Sequence, residues 1–123
     1  MDYLQIKTYL AYFTVQIENT YAKLEKLNGA KASEIELNFY NSFAEMYKFR
    51  YEELFSVYCD TKDGFTIGEQ KEVKNLFQNY YKSFNMFVIK LKEVNDAYYD
   101  EKKRAFRKFW DGYLSPVKES ENQ

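Results

Sequence analysis

The chain has 123 residues, 46% of them apolar and 30% charged, with a formal net charge of −1. That is the size of one ordinary domain with enough apolar material for a core, and the charge balance excludes a global attraction to nucleic acid or anionic lipid. One proline and four glycines leave few places to turn, so the elements must be few and long.

Thirteen tyrosines, eleven phenylalanines and one tryptophan make the chain unusually aromatic, and fifteen lysines stand against three arginines. Such a composition suits a low-GC genome, and composition and architecture together suit a small protein of a virus or mobile element, or a small subunit of a larger complex. Cys59 is the lone cysteine, which leaves no intramolecular disulfide and no cysteine zinc site. The start MDYLQIKTYLAYF lacks the long apolar segment of a secretory signal. No apolar run approaches the ~20 residues of a membrane span. The expectation is a cytoplasmic protein.

The first helix is expected over 2–28. Asp2 and Gln5 form a capping pair. Tyr3, Ile6, Leu10, Phe13, Ile17, Leu24 and Leu27 then follow at steps of three and four, with a gap at Thr20. Asn28-Gly29 is read as the left-handed stop. A second helix, 34–58, opens on Ser33 and Glu36, a capping box. Its stripe is Leu37, Tyr40, Ala44, Tyr47, Tyr51, Leu54 and Tyr58, widened on one flank by Phe39, Phe43 and Met46. A face so broad is expected to touch more than one neighbour.

Cys59 to Phe65 is the one real loop, and Thr66 with Glu69 restarts a helix. From Phe77 the apolar residues keep a seven-residue repeat: Phe77, Tyr80, Phe84, Phe87, Leu91, Val94 and Tyr98. After Tyr98 the phase slips, and Ala105, Phe106, Phe109, Trp110 and Tyr113 follow as after a four-residue stutter. The third helix is therefore expected over 67–99. A shorter C-terminal helix over 100–113 either continues it or, the favoured reading, is set off by a break or bend near Asp100. Leu114-Ser115-Pro116 is read as its stop. One domain over 1–114 and a flexible polar tail over 115–123 follow. The fold class is all-α, an antiparallel bundle of three long amphipathic helices plus the shorter C-terminal one. Tyr80-Tyr81 and Tyr98-Tyr99 stand five turns apart and share a face if the helix is continuous.

Histidine is absent, which removes the commonest general base and the commonest zinc ligand. Carboxylates could still bind a metal or transfer protons, but almost none lies on an apolar stripe; Glu101 alone occupies an expected heptad position. The expectation is no catalytic residue, no metal, no cofactor, no small-molecule substrate and no enzyme. The segment CDTKDGFTIGEQ has the outline of a calcium loop, but Cys59 and Gln70 stand where the first Asp and last Glu are needed. An ordinary loop with a left-handed glycine is expected instead. Trp110-Asp111-Gly112 resembles the WXG tripeptide of small secreted helical hairpins; it lies near the C-terminus rather than in a central turn, so no family follows.

The remaining constellation is EKKRAFRKFWDGY. Five of the six bases after residue 100 fall at Lys102, Lys103, Arg104, Arg107 and Lys108. Lys103 pairs with Arg107, and Arg104 with Lys108, at i,i+4 spacing, opposite Phe106, Phe109, Trp110 and Tyr113. A basic amphipathic helix of this kind binds acidic proteins, nucleic acid or membrane surfaces, or it is simply a solvated helix end. The off-stripe tyrosines Tyr9, Tyr12, Tyr81 and Tyr99 are expected to leave aromatic surface exposed. Together these features suggest a non-catalytic interaction protein that binds a protein partner or a second copy through a helix face, with Lys102–Lys108 and Trp110 as its binding residues. The alternative is a nucleic-acid-associated protein that uses the basic stretch on phosphates.

Overall fold

A computed structural model of the chain describes residues 1–122, and the side chains of residues 1–112. Three long helices carry the fold: α1 (Tyr3–Glu25), α2 (Glu34–Thr61) and α3 (Ile67–Asn122). Short 3-10 turns at Gly29–Lys31 and Lys62–Gly64 join them. No strand occurs among the described residues. The protein is the all-α bundle its periodicity implies.

Each helix starts where its polar side chains can satisfy orphan backbone donors. The Asp2 carboxylate accepts from the Gln5 amide at 2.9 Å, and the Gln5 side chain accepts from the Asp2 amide at 3.0 Å. Ser33 with Glu36, and Thr66 with Glu69, repeat the same reciprocal pair. The helix ends differ more from expectation. α1 stops at Glu25 and α2 runs to Thr61, because the segment read as a loop winds on from the helix into the 3-10 turn. Gln70 then fastens that turn, its side-chain amide donating to the carbonyls of Lys62 at 2.9 Å and Phe65 at 3.3 Å.

Among the described residues no glycine takes a positive φ, so the left-handed stops expected at Gly29 and in the Cys59–Gln70 loop are not there. Gly29 is needed for a different reason. It is buried, and a Cβ built on it would lie 2.4 Å from the Val94 carbonyl oxygen and 2.9 Å from Ala97 Cβ. The connector between α1 and α2 thus lies directly against the backbone of α3.

Interhelical pairs give the topology. Lys7 Nζ meets Glu72 at 2.7 Å, Ser83 meets Glu18 at 3.3 Å, and Gly29 touches Val94, so α1 and α3 run parallel. Tyr58 packs on Phe77, Tyr47 on Phe87, and Asn41 pairs with Asn95, so α2 runs antiparallel to both. The buried residues follow the expected stripes: Ile6, Leu10, Ile17 and Leu24 from α1, Leu37, Tyr47, Leu54 and Tyr58 from α2. From α3 come Val73, Phe77, Tyr80, Phe87, Leu91, Val94 and Tyr98. Tyr3 and Phe13 on α1 and Tyr40 and Tyr51 on α2 are only partly buried, and Phe84 is the exception on α3. It is only half-buried, lying at the α2–α3 groove beside Tyr51 and Tyr81.

The gap in the α1 stripe has a structural use. Thr20 is buried, and its hydroxyl lies 2.8 Å from the Gln16 carbonyl and 2.8 Å from the Tyr47 hydroxyl. Thr20 has a single hydroxyl proton and the carbonyl can only accept, so Tyr47 donates to Thr20, which donates to Gln16. Tyr80 in turn donates to the backbone carbonyl of Tyr47. Three helices are thereby tied by a polar chain inside an apolar core. Asn41 and Asn95 form a second such tie, exchanging side-chain hydrogen bonds at 3.3 and 3.0 Å. A paired amide in an otherwise apolar seam disfavours alternative registers.

Candidate interaction surface

α3 is a single helix of 56 residues, against 23 for α1 and 28 for α2. The break expected near Asp100 does not occur, the helix running on through it, and the range of α3 also takes in the expected stop at residues 114–116. The polar tail expected over 115–123 lies outside the residues whose side chains are described. Outrunning the other two helices is not a reason for α3 to break, since a helix needs only its own backbone hydrogen bonds and a solvated or partnered surface. With Asn41 opposite Asn95, α2 reaches its N-terminus near residue 102. From there about 20 residues of α3, a rod of roughly 30 Å, pass the end of the bundle.

The phase slip after Tyr98 is a rotation of the apolar face rather than an interruption. Tyr81, Val88, Asn95 and Tyr99 mark the α3 flank beside the core stripe, and Lys102, Phe106 and Phe109 continue that flank at heptad spacing. Tyr80 and Tyr98 are buried while Tyr81 and Tyr99 are more than half exposed, so the two tyrosine pairs repeat the same orientation five turns apart. Beyond the bundle Phe106 is 64% exposed, Phe109 65% and Trp110 40%. Trp110 stands edge-on to Phe109 at 5.5 Å and to Phe106 at 5.9 Å.

The expected site residues all lie exposed on this projection. Lys102 sits at the rim of the bundle with its ammonium 5.3 Å from the centre of the Tyr98 ring. Lys103, Arg104 and Arg107 share one side with Asp100, and Arg104 reaches Glu101 at 3.5 Å. Lys108 follows Arg104 one turn on, at the edge of the same side. Surface pairs such as Arg104–Glu101 contribute little to stability, so the basic side remains available to an external charge. Tyr113 lies outside the residues whose side chains are described.

A second apolar stripe was missed as a surface. Ile35, Phe39, Met46 and Phe49 are 83%, 57%, 37% and 57% exposed. The broad face of α2 does touch both α1 and α3 as expected, but Phe39 and Met46 stay on an outer side that three helices leave uncovered. The signal was present in the sequence: positions 35, 39, 42, 46 and 49 alternate steps of four and three, a heptad seam parallel to the core stripe.

Elsewhere the polar chemistry is structural. At one end of the bundle the Tyr3 hydroxyl donates to Glu72, which also holds Lys7. Lys7, first, and Tyr3, second, hold the Glu72 carboxyl below its ordinary value, and Glu72 raises both partners. Burial raises the hydroxyl pKa of Tyr47, Tyr51 and Tyr80. Tyr58 keeps a buried hydroxyl with no hydrogen-bond partner. Two grooves on the bundle are small, about 250 Å³ beside Phe13 and Arg50 and about 220 Å³ beside Tyr51 and Phe84, below the usual range for enclosed ligand sites, and an open concavity of about 380 Å³ lies beside Asp100, Lys103, Arg104 and Arg107. No helix among the described residues is long and apolar enough to cross a membrane. Comparison with protein-family models, with curated proteins and with solved structures found no match.

Proposed function

We propose that the protein is a non-catalytic interaction module whose working part is the projecting end of α3. It acts in the cytoplasm, of a cell or of a cell carrying a virus or mobile element, by docking this helix on a protein partner. The observation that carries the reading is the exposure of Phe106, Phe109 and Trp110 on a helix that has left its bundle. Three large aromatic side chains on adjoining turns are the kind of anchor that dominates protein interfaces. The flanking bases Lys103, Arg104, Arg107 and Lys108 would steer the helix to an acidic surface. The lack of histidine, and the placing of Tyr47 and Tyr80 in the core rather than in a cleft, support a role without catalysis.

A second reading, in which Lys103, Arg104 and Arg107 grip phosphates, draws on their shared exposed side. Affinity chromatography from source cells, with and without nuclease, separates the two. The protein reading expects partners that survive nuclease and moderate salt, and that are lost from a Phe106→Ser/Phe109→Ser variant. Nuclease-sensitive recovery with a steep salt dependence selects the nucleic-acid reading. Recovery unchanged by loss of both phenylalanines and by reversal of the four charges overturns both.

A further inference from the structure

The chain carries two exposed seams of the same period that fit one another, and we propose that they pair between two copies of the protein. In this dimer the projecting end of α3 of each copy lies along the outer seam of α2 of the other. The inference rests on the reading of α3 as a docking helix and names what it docks on.

Period, charge and length agree. Tyr99 at the bundle end, continued by Phe106 and Phe109 on the projection, and Ile35, Phe39, Met46 and Phe49 on α2, both follow the alternating three-and-four spacing of helices that pack side by side. α2 carries six acids against two bases, and residues 101–112 carry five bases against two acids. Exposed Glu34 lies on one flank of the α2 seam at its start, where Lys103 of a docked helix could meet it, and Glu45 and Glu52 continue that flank. Two projections paired over residues 101–112 would instead bring their basic stretches together. The projection of roughly 30 Å and the α2 seam of roughly 21 Å between Ile35 and Phe49 allow full overlap.

The pairing cannot close within one copy. α3 is one helix, and it leaves the bundle at the N-terminal end of α2, pointing away from the seam. Exchange between two copies removes this obstacle. A two-fold axis across α3 at the bundle end sets the two bundles end to end, and each projection then runs beside the other bundle, parallel to its α2. Both seams of both copies are covered by one closed, reciprocal interface.

The test is the solution mass of the full-length protein by sedimentation and light scattering, compared among three forms. The wild type should have twice the monomer mass of 14.9 kDa. Ile35→Ser/Phe39→Ser, on α2, and Phe106→Ser/Phe109→Ser, on α3, should each be monomeric at concentrations where the wild type is wholly dimeric. Both should keep the wild-type helix content, since all four side chains are exposed. Mixed in equal amounts, the two variants should recover a heterodimer, because one seam and one projection remain intact. A monomeric wild type overturns the inference while leaving the docking role of α3 to stand on partner recovery. A dimer lost in the α3 variant but kept in the α2 variant also overturns it, by showing that the projections meet each other. A dimer that survives both variants overturns the inference and counts against the docking role as well.

Discussion

The hydroxyl chain from Tyr47 to Thr20 to Gln16 gives the sharpest test of how the core is built. Tyr47→Phe removes a donor from a residue only 1% exposed, while Thr20 keeps its bond to the Gln16 carbonyl. The loss should therefore be one net hydrogen bond, about 1 kcal/mol. Thr20→Val preserves shape but strands the Tyr47 hydroxyl in the core, and an unsatisfied buried hydroxyl costs about 1–3 kcal/mol. The double variant has neither partner. Its loss should be smaller than the two single losses added together, with a coupling of about 1 kcal/mol. Urea unfolding followed by circular dichroism measures all four proteins, provided the slope is unchanged across the cycle. Strictly additive losses, or a neutral Tyr47→Phe, would refute the reasoning and place the Tyr47 hydroxyl in water at the rim of the bundle.

Gly29→Ala should destabilise by about 1–3 kcal/mol, since its Cβ meets a backbone carbonyl of α3 that cannot turn aside. Ala97→Gly should restore only part of this, as it relieves the 2.9 Å contact and not the 2.4 Å one; full rescue in the same urea assay would show that the Val94 carbonyl is not the obstacle. Phe87→Ala should cost about 3–5 kcal/mol, and Phe84→Ala distinctly less because Phe84 is half-buried; equal losses would contradict the placing of Phe84 at the groove. The raised hydroxyls of Tyr47, Tyr51 and Tyr80 give an alkaline limit. Their contribution to stability is fully present below the ordinary value of 10.0 and is lost as pH rises through their higher folded-state values. Tyrosinate absorbance should thus show a late set of tyrosines that titrates together with unfolding. Titration of all thirteen at the ordinary value with the fold intact would contradict their burial.

Most of the fold was legible because helical burial repeats. The stripes of α1, α2 and α3 named nearly every buried residue, and all three capping boxes stood where side-chain chemistry requires them. What was not legible depended on neighbours that periodicity does not reveal. Gly29 reads as a helix stop until the proximity of Val94 is known. Thr20 reads as a gap until Tyr47 is placed across from it, and Tyr47 itself reads as a ring with a wet hydroxyl. The candidate surface divides the same way. Lys102–Lys108 and Trp110 were visible as a basic, aromatic stretch, whereas their position beyond the bundle was not, because the change of phase at Tyr98 looks the same for a break as for a rotation of the apolar face. Ile35, Phe39 and Phe49 were missed because a wide apolar stripe looks like additional core until the number of helices available to cover it is known.

The account depends above all on α3 being one rod that carries its aromatic face clear of the bundle. A distance between spin labels at Lys82→Cys and Lys108→Cys, both exposed positions, in a Cys59→Ser background and diluted with unlabelled protein, measures this directly. A continuous helix separates the two backbones by about 39 Å at a rise of about 1.5 Å per residue, and a single narrow distribution near that value is the expected result. A fold-back at Asp100 would bring residue 108 alongside the bundle and shorten the distance to below about 30 Å. That result would return Phe106, Phe109 and Trp110 to the core and contradict the account.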